Sequence, residues 1–119
     1  MVPRRAIFKI EGPYDHERTT MITGKQRSYL KSLAHHEEPI VFIGKDDITE
    51  NILKEIDNAL ESRELVKVKI QENSVLNPKD AANEIAQELG AEFVQAIGRK
   101  FSLYRQSKDK DKRKIVLPR

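Results

Sequence analysis

The chain has 119 residues and a net charge of +3, and this length suits one domain with one hydrophobic core. It has no cysteine, which excludes a disulfide framework, a thiolate metal site and a cysteine nucleophile. No stretch approaches the roughly 18 consecutive apolar residues of a membrane helix, and the N-terminal apolar run is too short for a signal peptide. We therefore expect a cytoplasmic monomer. Residues 21–105 carry a net charge of −2 and residues 106–119 a net +4, so attraction to nucleic acid must come from a local patch and the tail.

Residues 1–20 show no sustained hydrophobic period and contain Pro3, Gly12 and Pro13. We expect an irregular N-terminal extension there, ahead of the folded domain. Met21 directly precedes the first well-formed element, which raises the hypothesis that translation begins there. Residues 21–105 are predicted to form the domain, and residues 106–119 a basic tail with a short extended piece near its end.

Capping and turn signals define the predicted elements. Thr23 and Gln26 fit a capping box at the start of the first helix, and Thr49 is the predicted N-cap of the second. Asn77-Pro78 opens the third helix, and Gly90 ends it. The predicted strands are residues 40–43, 65–70, 92–97 and 101–105, the last two joined by a hairpin turn at 98–100.

The predicted order is helix, strand, helix, strand, helix, strand, strand. Strand–helix–strand connections favour right-handed parallel crossovers, and the closing hairpin adds an antiparallel pair. In the second strand, Val66, Val68 and Ile70 share one side, whereas Lys67 and Lys69 share the other and face water. The sequence therefore predicts an α/β fold, a single compact domain with three helices on a four-stranded mixed sheet.

The sequence carries none of the short motifs that mark common enzymes: no P-loop, no GxGxxG, no HExxH and no GxSxG. The cluster His35-His36-Glu37-Glu38 resembles metal ligands, but adjacent side chains in a loop rarely converge on one ion. Acid–base work by Asp46-Asp47 would need a further carboxylate across a cleft, and a solvated turn is the simpler interpretation. We expect no enzyme, no metal and no cofactor.

The segment 43–49 lies between a buried strand and the start of a helix. That arrangement gathers backbone amides at the positive end of a helix dipole, which attracts phosphate. Gly44 would let a phosphate approach the backbone closely, and Lys45 adds a positive charge. Asp46 and Asp47 oppose an anion there, so an ordinary strand-to-helix turn stays equally open.

Other basic residues give weaker signals. Arg27, Lys31 and His35 fall on one outer face of the first predicted helix, although a charged helix face is more often a solvated surface. Tyr104 and Arg105 end the last strand and would suit stacking on RNA and pairing with it. Tyr104 would equally suit a half-buried core position.

The sequence contains five blocks in a specific order, at residues 23–35, 39–45, 48–57, 64–69 and, for the closing hairpin, 94–100 with 103–105. They include Thr-Gly-Lys-Gln-Arg in the first helix, Ile-Gly-Lys after the first strand and Leu-Tyr-Arg in the last strand. Together they resemble the YhbY/CRM-domain family, over residues 21–105 and on to Leu117-Pro118.

The resemblance implies a fold similar to the C-terminal domain of a bacterial translation initiation factor. It also implies RNA binding, since free-standing bacterial members are associated with precursors of the large ribosomal subunit, and plant relatives take part in organellar intron splicing. The family's GxxG loop is likened to the RNA-clamping loop of KH domains. It corresponds to Gly44-Lys45-Asp46-Asp47, where Asp47 replaces the second glycine.

We therefore expect sequence-tolerant binding to ribosomal RNA, with no bond making or breaking. Gly44 and Lys45 would contact phosphate, and the basic helix face would extend that surface if the first helix packs beside the loop. The tail would add non-specific attraction. The candidate RNA-binding residues are Gly44, Lys45, Asp46, Asp47, Lys25, Arg27, Lys31, His35, Arg99, Lys100 and Arg105.

An alternative is a protein-interaction module. The outer face of the second predicted helix is largely acidic and would dock a basic ribosomal protein. On this hypothesis charge reversal on that helix, and not Lys45→Glu, would abolish association with assembling particles. The carboxylates that motivate it are Glu50, Glu55, Asp57, Glu61 and Glu64.

Overall fold

The computed structural model describes residues 22–45 and 47–119. The predicted N-terminal extension at 1–20, Met21 and the loop residue Asp46 therefore lie outside the described residues. The predicted order of three helices and four strands is confirmed, and none of the described helices is long and apolar enough to cross a membrane. The elements are α1 (Gly24–Ala34), β1 (Val41–Ile43), α2 (Glu50–Arg63), β2 (Leu65–Ile70), α3 (Pro78–Leu89), β3 (Glu92–Ile97), β4 (Lys100–Tyr104) and a short 3-10 helix (Lys110–Lys112).

The helix caps act as the sequence predicts. Thr23 Oγ1 accepts a hydrogen bond from the Gln26 amide at 3.1 Å, and Gln26 Oε1 accepts one from the Thr23 amide at 2.9 Å. This capping box satisfies amides that the first turn of a helix otherwise leaves free. The Asn77 side chain caps α3, and Gly90, in the left-handed conformation with φ 67°, ends that helix.

The four strands form one mixed sheet in the order β1-β2-β4-β3. β1 and β2 are parallel, as expected of strands connected through a helix, whereas β4 runs antiparallel to both of its neighbours. β1 and β3 are therefore the outer strands. A register shift between Phe93 and Gln95 interrupts the pairing of β3 with β4.

The larger core lies between one face of the sheet and the helices α2 and α3. Val66, Val68 and Ile70 of β2 are buried in this core, as predicted. The alternate residues Lys67 and Lys69 belong to the opposite face, where Lys69 is exposed. The period of two in β2 therefore separates an apolar face from a basic one.

A smaller core lies on that opposite face, beneath α1. Leu30 and Ala34 of α1 pack there with Leu65, Val94 and Tyr104 of the sheet. Leu65 pairs with Tyr104 across β2 and β4, so this core lies at one end of the sheet. No other helix of the described residues packs on the rest of this face.

Residues 106–119 pack back onto the domain. Ile115 and Leu117 lie against the smaller core, and the Pro118 carbonyl accepts a hydrogen bond from Gln26 Nε2 at 2.9 Å. The segment that we predicted as a basic tail thus follows a defined path over the domain, and Arg113 Nε donates to the Ser107 carbonyl within it at 2.7 Å. Its exposed basic residues are Lys108, Lys110, Lys112, Arg113, Lys114 and Arg119.

Candidate functional site

The loop after β1 runs from Gly44 to Thr49, the N-cap of α2. Ile48 is fully buried and anchors the loop to the larger core. The Ile48 amide donates to Asp47 Oδ1 at 2.6 Å, and an amide in the first turn of α2 donates to Thr49 Oγ1 at 3.2 Å. The loop's own side chains therefore already accept hydrogen bonds from these two amides. The candidate phosphate contacts are the first residues of the loop, Gly44 and the exposed Lys45.

The fold itself does not require glycine at position 44. The φ angle of Gly44 lies outside the left-handed region. A Cβ added there would meet Gln71 Oε1 at 3.8 Å, an ordinary contact distance. An alanine would therefore fit without displacing its neighbours. Glycine at this position would instead be required for binding, if a ligand approaches the main chain closely.

Helix α1 and the loop lie toward opposite ends of the sheet. The core contacts of α1 include the cross-strand pair Leu65 and Tyr104. Gly44 follows Ile43, which pairs with Ile70, five residues further along β2. At about 3.3 Å per residue, these two ends of β2 are roughly 16 Å apart. The core contacts of α1 thus lie away from the loop, and α1 does not pack directly beside it as the sequence interpretation required. Exposed residues of the sheet lie between α1 and the loop.

Arg27 braces α1 against the sheet. It is half-buried, and its Nε donates a hydrogen bond to the Phe93 carbonyl of β3 at 3.1 Å. Its position on an outer helix face, expected from the sequence, is therefore only partly realised. The predicted basic candidates that are exposed are Lys25, Lys31, His35, Lys45 and Lys100.

Arg99 and Arg105, the weaker candidates from the hairpin, are committed to contacts within the protein. Arg99 Nη2 donates to the carbonyls of Gln71 and Ser74, both at 3.1 Å, and so holds the loop after β2. Arg105 Nη1 lies 2.7 Å from Asp57 Oδ1, and its side chain is only 13% exposed. A phosphate would have to displace these partners, so neither arginine belongs to the candidate surface.

Several carboxylates of α2 are also used internally rather than presented to a partner. Glu64 is fully buried, and its carboxylate accepts hydrogen bonds from three backbone amides of the C-terminal segment. Glu61 accepts a hydrogen bond from the Ser107 hydroxyl at 2.8 Å, and this bond lowers the pKa of Glu61. Together with the pairing of Asp57, these contacts leave a smaller acidic face than the sequence predicts. The carboxylates of the predicted set that are exposed are Glu50 and Glu55, and Asp57 keeps 47% of its side chain exposed beside Arg105.

Tyr104 is a core residue. It is buried beneath α1, and this burial, together with the nearby negative charge of Glu64, raises the pKa of its hydroxyl. Of the two positions that the sequence left open for Tyr104, the structure shows the buried one. Its ring is therefore not available for stacking on RNA.

The histidine cluster forms no convergent site. The rings of His35 and His36 pack edge to face with their centroids 6.4 Å apart. In the part of the chain that the structure describes, no group of three or more histidine, cysteine, aspartate or glutamate side chains is placed to hold a metal ion.

The strand register places four side chains in one row across the sheet, on the face that α1 covers in part. Phe42 of β1 pairs with Lys69, and Lys69 pairs with Lys100. Lys100 in turn pairs with Ile97 of β3. Phe42 is 54% exposed and Ile97 is 60% exposed. We call these four residues the exposed row. Phe42 is not among the residues expected from the sequence, because all three residues of β1 are apolar and their composition does not distinguish the outward side chain from its buried neighbours.

Comparison with known proteins adds to this geometry. Residues 22–105 match the family model described as the CRS1 / YhbY (CRM) domain. The chain is 40% identical over 98 residues to the "Probable RNA-binding protein YqeI" of Bacillus subtilis (strain 168), covering 82% of this chain and 100% of that protein. It is 42% identical over 100 residues to an "RNA-binding protein" of Haemophilus influenzae, covering 84% and 98%. The solution structure of the hypothetical protein SAV1595 from Staphylococcus aureus is similar at a TM-score of 0.68 and 44% identity, covering 82% and 100%.

Proposed function

Because the chain belongs to the CRS1/YhbY (CRM) domain family, we propose that it binds RNA and acts on ribosomal RNA during assembly of the large ribosomal subunit. Its function on this proposal is binding alone, by a cytoplasmic monomer. The names of its relatives, which describe RNA-binding proteins, support the first part. The ribosomal part rests on the family resemblance of the sequence.

The observation that carries the proposal is the combination of Gly44 and Lys45 at the end of β1. Gly44 is partly exposed and has no side chain, so a ligand can approach its main chain closely. Lys45 is exposed and would place its ammonium group near a phosphate held at that point. The carboxylate of Asp47 opposes this attraction in part, although one of its oxygens accepts a hydrogen bond from the Ile48 amide.

A salt series with fragments of large-subunit ribosomal RNA tests the proposal. Wild type is compared with Lys45→Glu and with Lys54→Glu, which makes the same charge change at an exposed position of α2, the helix on the other face of the sheet. We expect a negative slope of log affinity against log salt, with about −0.9 per phosphate contact on duplex RNA and about −0.7 on single strands. Lys45→Glu should weaken binding and flatten the slope, whereas Lys54→Glu should do neither.

Two results would count against this surface. Equal loss in both variants would mean that only net charge matters, and the loop assignment would fall. A wild-type protein that binds none of the fragments would contradict RNA binding itself. The ribosomal part needs a separate sedimentation experiment on cell extract, in which wild type should travel with precursors of the large subunit and Lys45→Glu should remain near the top of the gradient.

A further inference from the structure

The exposed row has no role in the RNA binding proposed above, which rests on Gly44 and Lys45. Phe42 is more than half exposed, although large apolar side chains of a sheet usually pack beneath a helix. Helix α1 packs instead on the pair Leu65 and Tyr104 at the other end of the same face. The aromatic ring of Phe42 therefore stands open to a partner.

The surroundings of Phe42 are basic. The neighbouring row on this face is formed by Lys67, Ser102 and Gln95, which align across β2, β4 and β3. Neither row contains a carboxylate. Lys67 and the two lysines of the exposed row also form no ion pair with any residue that the structure describes. The face thus combines one open aromatic ring with three lysines that have no ion-pair partner among the described residues.

The spacing of these groups follows from the sheet. Adjacent strands lie about 4.8 Å apart, so the backbone of Phe42 is roughly 5 Å from that of Lys69 and roughly 10 Å from that of Lys100. Gly44 is two residues beyond Phe42, or about 7 Å along the strand direction. A ligand that stacks on the ring is therefore within reach of both lysines and of the loop.

We propose that this face binds single-stranded RNA, with one base stacked on Phe42 and the flanking phosphates paired with Lys69 and Lys100. The inference rests on the RNA-binding function proposed above and narrows it to unpaired RNA. An exposed aromatic ring beside lysines suits a ligand that carries both planar rings and negative charges. Single-stranded RNA has both, in its unstacked bases and its phosphates. A duplex fits poorly because its base faces are stacked inside the helix. A basic ribosomal protein would be repelled by the three lysines.

The experiment uses substitutions at Phe42 in the full chain. Phe42→Trp keeps a stacking surface and introduces the only tryptophan, because the chain has none. Phe42→Leu keeps an apolar side chain but removes the aromatic face. Tyr29→Leu removes another exposed aromatic ring, from α1, and serves as the matched control. The probes are an oligoadenylate of about ten nucleotides and a duplex of equal length.

Fluorescence anisotropy and tryptophan emission give the two readouts. Base stacking on an aromatic side chain corresponds to about 5- to 150-fold in affinity. We therefore expect Phe42→Leu to bind the single strand at least about fivefold more weakly, and Tyr29→Leu to bind as wild type does. The emission of Phe42→Trp should be quenched by the single strand and not by the duplex.

The outcomes separate this inference from the function on which it rests. Wild-type affinity of Phe42→Leu, or emission that the single strand leaves unchanged in Phe42→Trp, would overturn the inference while RNA binding stands. Equal affinity of wild type for duplex and single strand would overturn it as well. If Phe42→Leu binds RNA normally but no longer sediments with ribosomal particles, the occupant of the face is a protein and the inference is wrong. Failure of wild type to bind any RNA would remove both proposals.

Discussion

The buried carboxylate of Glu64 accepts a hydrogen bond from the backbone amide of Lys114 at 2.8 Å, so the end of α2 holds a segment fifty residues further along the chain. The same carboxylate also accepts bonds from the amides of Ser107 at 2.8 Å and Ile115 at 3.1 Å. Glu64 itself adopts a positive φ of 68°, which is unusual for a residue other than glycine. One side chain thus fixes the path of residues 106–119.

We expect Glu64→Gln to destabilise the fold by about 1–3 kcal/mol, since the amide group of glutamine cannot accept hydrogen bonds at both ends and one donor is left unpaired. Urea unfolding measures this loss. Glu55→Gln, an exposed change on the same helix, provides the control and should cost much less. Equal stability of the Glu64→Gln variant and wild type would show that the three amide contacts do not hold the segment.

Arg105→Gln should lower stability and leave RNA affinity unchanged. It removes the contact with Asp57 and the hydrogen bond to the Leu89 carbonyl at 2.9 Å, for a cost of about 1–3 kcal/mol. Unfolding curves and binding isotherms on the same preparation separate the two effects. If the folded variant loses RNA affinity instead, the guanidinium of Arg105 reaches RNA despite its internal partners.

Gly44→Ala should leave stability unchanged and lower RNA affinity. The added methyl group has space in the fold, so the urea midpoint should stay within error of the wild-type value. RNA affinity should fall by about 10- to 100-fold if the methyl group breaks a backbone contact with phosphate. Ser62→Ala, an exposed change on α2, the helix on the other face of the sheet, tests whether binding responds to any small surface substitution. Wild-type affinity of Gly44→Ala would contradict the backbone contact at Gly44 and would leave Lys45 as the phosphate contact of the loop.

The raised pKa of Tyr104 makes a prediction for alkaline stability. Because the folded protein keeps the phenol proton at pH values where the unfolded chain has lost it, the stabilisation is complete below the unfolded pKa of about 10. It is lost as the pH rises through the higher folded value. Stability should therefore fall above about pH 10 in wild type, and less steeply in Tyr104→Phe. Urea midpoints measured from pH 8 upward check this, and identical slopes would contradict it.

The sequence was sufficient for the elements because the signals that start and end them are local. The capping box of Thr23 and Gln26, the Asn77-Pro78 start of α3 and the Gly90 end each depend on residues within one turn. The order of helices and strands then limits the sheet to a few topologies, and the predicted mixed sheet is among them.

The site depends on contacts between distant residues, which local patterns do not contain. Arg105 is neutralised by Asp57, 48 positions away, so a pattern of basic residues overstates the free positive charge. The exposure of Phe42 depends on which part of the sheet α1 covers, and its basic neighbours come from β2 and β4. Register and coverage are properties of the assembled sheet, so a single strand cannot reveal them.

The hydrogen bond between Arg27 and the Phe93 carbonyl has a consequence for self-association. β3 is an outer strand, and an unpaired carbonyl on such a strand can accept a strand from a second molecule. Arg27 of α1 already donates a hydrogen bond to the Phe93 carbonyl. The register shift next to Phe93 also interrupts the regular spacing of backbone hydrogen-bonding groups that an incoming strand would need. On the other side of the sheet, β1 offers only three residues. In the part of the chain that the structure describes, both borders of the sheet thus discourage edge-to-edge aggregation.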